Sequence, residues 1–298
     1  MKILVAGGTG LIGSRLVNSL LLQNHSVIIL SRNPLKHKKK FDSQVSFVDW
    51  KSTDVELLKN IDAVIKLSGE SVAQLWTENA KKKILDSRIN LSKTLSEFLV
   101  KNKINSNVLI NASAIGFYSK KTMHYDSEVN ETSKSGDSFL SKVCQLNEKS
   151  CEIFSNQGMR VVHLRIGMVL TKKFSLLIGL SSFFSIPIPG IKNNYFPWIH
   201  IDDVVGFIHH ALDSNLEGPF NLISPKAITH KDFYNTIRKH YRGIIPWILF
   251  IPSFITRMAG GMSEMVLYGP KTLPMRTIES GFKFKFKNLD DALHDVDK

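Results

Sequence analysis

Cysteine is scarce in this 298-residue sequence, with only Cys144 and Cys151 present. They stand seven apart in what the periodicity predicts as one helix, about 10 Å apart along its axis and too far to bridge. A disulfide framework is excluded, and no Cys or His spacing suits a metal, so the expectation is two reduced thiols and no metal site. Apolar runs of about 18 residues are also missing, and the first strand has neither a basic flank nor a small-residue cleavage site. No spanning helix, no secretion signal, no membrane partner and a cytoplasmic location are therefore expected. Internal repeats and low-complexity segments are absent. Acidic residues are outnumbered, 26 against 39 Lys and Arg, for a formal charge of +13. The lysines are scattered, and their densest run, 36–40, falls in a predicted loop without interleaved aromatics, so no nucleic-acid partner is expected.

What is present is concentrated at the start. Lys2 to Ala6 is a short apolar strand that runs into Gly7, Gly10 and Gly13, spaced as G-x-x-G-x-x-G. Gly7 permits a tight turn, Gly10 a close backbone approach to a pyrophosphate, and Gly13 close packing of the next helix on the sheet. Leu11, Ile12, Leu16, Val17, Leu20 and Leu21 recur at helical spacing, and that helix would turn free N–H groups toward phosphates. The plainer reading is a glycine-rich turn in some other α/β protein. A second strand, 26–31, ends at Ser31-Arg32, where a Rossmann domain faces the adenosine ribose. No Asp or Glu stands at 30–33. A hydroxyl and a planar cation suit a 2′-phosphate, which favours NADP(H) over NAD(H); a solvated arginine opening a basic loop is the alternative.

Hydrophobic residues make up 43% of the chain, enough for a sizeable core in one large or two smaller domains. Strands are predicted at 2–6, 26–31, 45–49, 62–67, 107–112 and 160–166, alternating with helices at 11–23, 54–60, 78–102 and 138–157. That is the pattern of a doubly wound parallel sheet, α/β and Rossmann-like, with its ligand at the carboxyl ends of the strands. After Gly167 the pattern is broken by Pro187, Pro189, Gly190 and Pro197. A helix then opens with Asp202 as its expected N-cap, 218–223 reads as a strand, and Thr229 caps a helix over 230–241. The expected division is a dinucleotide-binding domain over 1–170, to which 199–223 returns, and a smaller, mostly helical substrate or lid domain over 171–198 and 224–298. The apolar stretch 244–255, with Trp247, Phe250 and Phe254 between Pro246 and Pro252, reads as buried in the small domain.

These segments resemble the extended short-chain dehydrogenase/reductase superfamily, and within it an epimerase-like group with a small C-terminal domain, here 246–293. Some of its members carry a cell-division-inhibitor label. The matching stretches are 7–13, Ser31-Arg32, 67–70, 86–88, 112–118, 164–170 and 198–203, with 281–284 and 289–293 near the end. The resemblance implies that Thr9, Gly10, Leu11, Ile12 and Gly13 hold the pyrophosphate and that Ser31 and Arg32 hold the adenosine phosphate. Leu67, Ser68 and Gly69 would line the nicotinamide half, with Val169 near its ring and Arg88 also on NADP(H). Arg88 as a surface cation and Val169 as core are the ordinary readings.

The superfamily works on a carbonyl or alcohol with Ser or Thr, Tyr and Lys, the tyrosinate being the base. Ser113, at the end of the fifth strand, fits the first role. The Tyr-x-x-x-Lys signature is missing: counting back from Glu148 puts Leu140 and Cys144 in its two slots, and Lys142 lies about 200° around the helix from Cys144. Tyr118 is the nearest replacement acid/base, or else an aromatic packed under the cofactor. Glu70 and His200 are candidates for substrate contact. Two functions remain open: an NADP(H)-dependent oxidoreductase or epimerase acting on a small carbonyl or hydroxyl compound, and an NADP(H)-binding regulatory protein without chemistry. The assembly expected is a monomer or homodimer.

Overall fold

The computed structural model describes residues 1–41, 43–52, 54–119, 128–172, 194–241 and 270–297. In chain order the first elements are β1 (Lys2–Ala6), α1 (Leu11–Leu22), β2 (Ser26–Leu30), α2 (Pro34–Lys38), β3 (Ser46–Val48), α3 (Val55–Leu58), β4 (Ala63–Lys66), α4 (Glu78–Lys101) and β5 (Val108–Ala114). Then come β6 (Glu128–Val129), α5 (Phe139–Lys149), α6 (Glu152–Ser155), β7 (Arg160–Ile166), β8 (Met168–Leu170), β9 (Trp198–His200), α7 (Ile201–Leu212) and β10 (Gly218–Leu222). The chain closes with α8 (His230–His240), β11 (Lys271–Thr272), α9 (Met275–Glu279) and α10 (Leu289–Val296).

Seven strands form one parallel sheet in the order β10-β7-β5-β4-β1-β2-β3. Helices cover both of its faces, which is why the strands read as continuous apolar runs. On β1, Ile3 and Val5 pack with Leu16, Val17 and Leu20 of α1, while Leu4 and Ala6 pack on the opposite face with Leu95, Phe98 and Leu99 of α4. The chain leaves β1 toward β2 and β3 on one side, and returns to β4, β5, β7 and β10 on the other. The crevice between β1 and β4 is thus the switch point at which doubly wound sheets bind ligands. A third core, with Trp198, Phe233, Phe286 and Leu293, joins β9, α8 and α10.

The seven sheet strands fall where the periodicity places them; among the differences, β6 and β11 form a short parallel pair that it does not predict. The helix expected over 138–157 is two, α5 and α6. Cys144 lies in α5 and Cys151 at the start of α6, both buried and unbridged. The basic run beginning at Lys36 is not simply a loop: Asn33 Oδ1 accepts from Lys36 N at 3.3 Å and Pro34 sets the first φ, so α2 forms. Asp202 is not the N-cap of α7, because His200 occupies that position and its Nδ1 accepts from Asp202 N at 3.1 Å. β8 and β9 pair in parallel at the two ends of a segment with no strand periodicity of its own. Thr229 caps α8, its side chain accepting from Asp232 N. Pro187, Pro189, Gly190 and the apolar stretch 244–255 lie outside the described residues. Among the described residues no helix is long and apolar enough to cross a membrane.

Candidate functional site

The glycine loop lies at the switch point, and its glycines are required by contact. Gly7 has φ +95°, and a Cβ there would stand 2.6 Å from Ser68 N. At Gly13 a Cβ would fall 2.1 Å from Gly7 O and 2.7 Å from Gly8 Cα. Gly10 is the N-cap of α1, and no side chain occupies the helix terminus. The first N–H groups of α1 are therefore available to an anion, so the residues present fit a pyrophosphate.

Two cavities open from this loop. One, of about 830 Å³, is lined by Thr9, Ser31, Arg32, Lys36, Trp50 and Lys83 among others. Arg32, Lys36 and Lys83 are all exposed, so a basic rim surrounds it. The other, of about 330 Å³, lies between β4, β5 and α5 and is walled largely by apolar side chains, including Ile12, Leu67, Leu140, Met168 and Val169. Ser68 and Gly69 line both, so the cavities are successive parts of one groove. Arg88 passes over Gly69, where a Cβ would meet its Cζ at 3.2 Å. Its Nη1 donates to the carbonyls of Ile84 and Glu70 at 3.0 and 3.1 Å.

The structure gathers many of the expected residues here. Gly7, Thr9, Ser31, Arg32 and Glu70 line the basic cavity, and Ile12, Leu67, Arg88, Ser113 and Val169 the apolar one. Gly10 and Gly13 shape the turn beneath them. Leu11 is 58% exposed and lines neither cavity. Leu140 and Cys144 both face the apolar cavity, so the slots for tyrosine and lysine are occupied by a hydrocarbon and a thiol. Burial, with Glu148 nearby, pushes the Cys144 thiol up to about 12, which keeps it protonated.

Tyr118 and His200 are not brought to the groove. Tyr118 is 1% exposed; its hydroxyl donates to Asn221 Oδ1 at 2.9 Å and accepts from Arg165 Nη1 at 2.7 Å. Burial raises its pKa, so the phenol is held as a donor rather than as a base. His200 is buried under Phe286, ring centroids 3.9 Å apart. Its Nδ1 accepts a backbone N–H, so Nε2 carries the proton, and it lies 3.6 Å from Asp295. Ligand atoms of His200, Asp202 and Asp295 lie within 4.8 Å of one another. Side-chain cations already face both carboxylates: Arg15 lies 2.8 Å and Lys285 3.2 Å from Asp202, with Lys285 also 3.9 Å from Asp295.

A polar layer beneath the apolar cavity escapes the sequence reading. Glu148 accepts from Ser113 Oγ at 2.7 Å and holds Arg165 through both oxygens, at 3.0 and 2.8 Å. The Arg165 Cζ in turn stands over the Phe117 ring, 3.5 Å from its centroid. On β4, Lys66 is 1% exposed and donates to Asn111 and Asn147 at 3.0 and 2.8 Å; burial lowers its pKa. A lysine ending an otherwise apolar central strand was the available signal for this layer.

Comparison with known proteins agrees with this architecture. A family model described as the NAD dependent epimerase/dehydratase family matches residues 3–222, and a domain of unknown function, DUF1731, matches 251–296. Epimerase family protein YfhF of Bacillus subtilis (strain 168) is 34% identical over 301 residues, covering 98% of this chain and 97% of that protein. The crystal structure of human epimerase family protein SDR39U1 (isoform2) with NADPH superposes with a TM-score of 0.79 at 26% identity, covering 99% of each chain. The UDP-glucose 4-epimerase of Thermus thermophilus, solved with NAD, shares the fold at a TM-score of 0.76 and 19% identity, covering 100% of this chain and 98% of that one.

Proposed function

Since the chain belongs to the NAD dependent epimerase/dehydratase family, as an extended short-chain dehydrogenase/reductase with a DUF1731 domain, we propose that it binds NADP(H) along the groove from Arg32 to Val169. In this reading it is a cytoplasmic oxidoreductase or epimerase-like enzyme for a small carbonyl or hydroxyl compound. The observation that carries it is the continuity of the two cavities through Ser68 and Gly69. The N-terminus of α1 supplies N–H groups to the pyrophosphate, and Arg32, with Lys36 and Lys83 on the same rim, pairs the 2′-phosphate. The NADPH held by the human relative supports the phosphate-bearing form. Bound there, the nicotinamide supplies or accepts a hydride. Leu67, Ile12 and Val169 exclude water around its ring, and Ser113 meets the substrate oxygen. Residues 1–170 with 199–223 form the cofactor domain, and the remainder covers the substrate.

Leu140 and Cys144 in the cavity wall favour a second reading, a regulatory protein that senses NADP(H) without turnover. Thermal melting with NADPH, NADP, NADH and NAD tests the first premise by mass action. The expected result is the largest stabilisation by the phosphate-bearing forms, with that preference lost in Arg32→Ala. Equal shifts for NADPH and NADH would refute it. Loss of deuterium label from NADPD on incubation with carbonyl compounds separates enzyme from sensor.

A further inference from the structure

The hydroxyl of Ser113 has a fixed polarity. A carboxylate that grips a guanidinium through both oxygens accepts hydrogen bonds and cannot donate them, so the 2.7 Å contact to Glu148 Oε1 consumes the Ser113 proton. What Ser113 turns toward the apolar cavity is therefore a lone pair. The other polar groups there are few: Ser68 and Arg88 stand at the Gly69 end, with Arg88 Nη1 committed to the carbonyls of Ile84 and Glu70. Asn147 commits its amide oxygen to Lys66 and one amide hydrogen to Ala112 O at 2.9 Å, leaving one N–H. The Cys144 thiol, a weak donor, stands against Ser113 and the Ala114 backbone and engages at most one of the two lone pairs on the Ser113 oxygen. Ser119 lines the same cavity, is 4% exposed, and its Oγ is buried without a hydrogen-bond partner among the described residues, so it presents no polar atom to the space. Leu67, Val72, Leu140, Val143 and Met168 supply hydrocarbon. A sugar, with a hydroxyl on almost every carbon, would leave most of them unpaired against this wall.

We propose that the cavity takes a largely apolar alcohol whose hydroxyl donates to Ser113 Oγ, with Glu148 as the positioning residue that commits the Ser113 proton. This deepens the oxidoreductase reading and rests on cofactor binding along the same groove, with the nicotinamide at the Ile12, Leu67 and Val169 side of this cavity. Ser113 so held reads a hydroxyl hydrogen; it has no proton to offer a ketone oxygen. Arg165 keeps the carboxylate in place.

The test uses the full chain saturated with NADP and three matched probes, 2-heptanol, 2-heptanone and 2-methoxyheptane, with Kd values from ligand-observed NMR. The expected result is alcohol binding at least tenfold tighter than ketone or ether. Ser113→Ala should bring the three to parity, and Ser113→Thr, which keeps the hydroxyl, should restore the preference. Glu148→Gln places an amide N–H₂ within reach of Ser113, so the alcohol-to-ketone ratio should fall at least fivefold. If Glu148→Gln fails to fold, the two Ser113 variants decide alone. A ketone preference, parity in the wild type, or no binding of any probe overturns the proposal. NADP saturation is measured first, so failure to bind cofactor sinks the parent reading, whereas saturation without an alcohol preference sinks this one alone.

Discussion

At the Arg32 end of the groove, Ser31, Arg32, Lys36 and Lys83 stand on a solvent-facing rim, held by local turns such as the Asn33 cap. At the Ser113 end, the groove floor is continuous with the protein core. Ser113 reaches Glu148 on α5, Glu148 reaches Arg165 on β7, and Arg165 reaches Tyr118, which reaches Asn221 on β10. The proposed cofactor selectivity at the first end rests on a few exposed side chains that the fold does not need. The second end cannot be altered without disturbing the packing of three strands and a helix.

The sharpest way to break this contrast is Arg165→Ala. It leaves the buried Glu148 carboxylate without its cation and Tyr118 Oη without its donor, and loss of about 3–5 kcal/mol in urea unfolding is expected. A loss under 1 kcal/mol would mean that the layer is not part of the core. Acid acts next. Burial holds His163 down to about 4 from 6.5, and His230 likewise. Their folded pKa values are depressed, so the unfolded chain binds more protons between these limits. Stability is full above 6.5 and falls as pH drops toward 4, by roughly 3 kcal/mol per histidine. His163→Gln should flatten that slope in urea melts between pH 7 and 4.5. Tyr118→Phe removes one donor and one acceptor, and should cost about 1–3 kcal/mol of stability while leaving NADPH affinity unchanged. A fall in affinity without a fall in stability would move Tyr118 into the site. Arg32→Ala should change unfolding free energy by less than about 0.5 kcal/mol while narrowing the NADPH over NADH preference at least tenfold.

The same contrast explains what the sequence made legible. The glycine loop and Ser31-Arg32 act through neighbours in the chain, so spacing alone placed them on one crevice. Leu140 and Cys144 were found as well, because a helix preserves its period and Glu148 marks the register. The Ser113–Glu148–Arg165 contact was not legible, since it joins three elements whose separations are set by sheet order. Tyr118 was misleading for a related reason: it follows Ser113 closely in the chain, but the short 3₁₀ turn over Ile115–Tyr118 carries its hydroxyl under β10. His200 stands next to two acids, yet its role as the cap of α7 depended on where that helix begins.

In the proposed reading, the Arg32 end by itself distinguishes the phosphate-bearing cofactor. Calorimetric titration with adenosine 2′,5′-bisphosphate and with 5′-AMP isolates that end, because neither molecule reaches Ser113. The bisphosphate should bind at least tenfold tighter, be displaced by NADPH, and lose its advantage in Arg32→Ala. Equal affinities in the wild-type protein would contradict it.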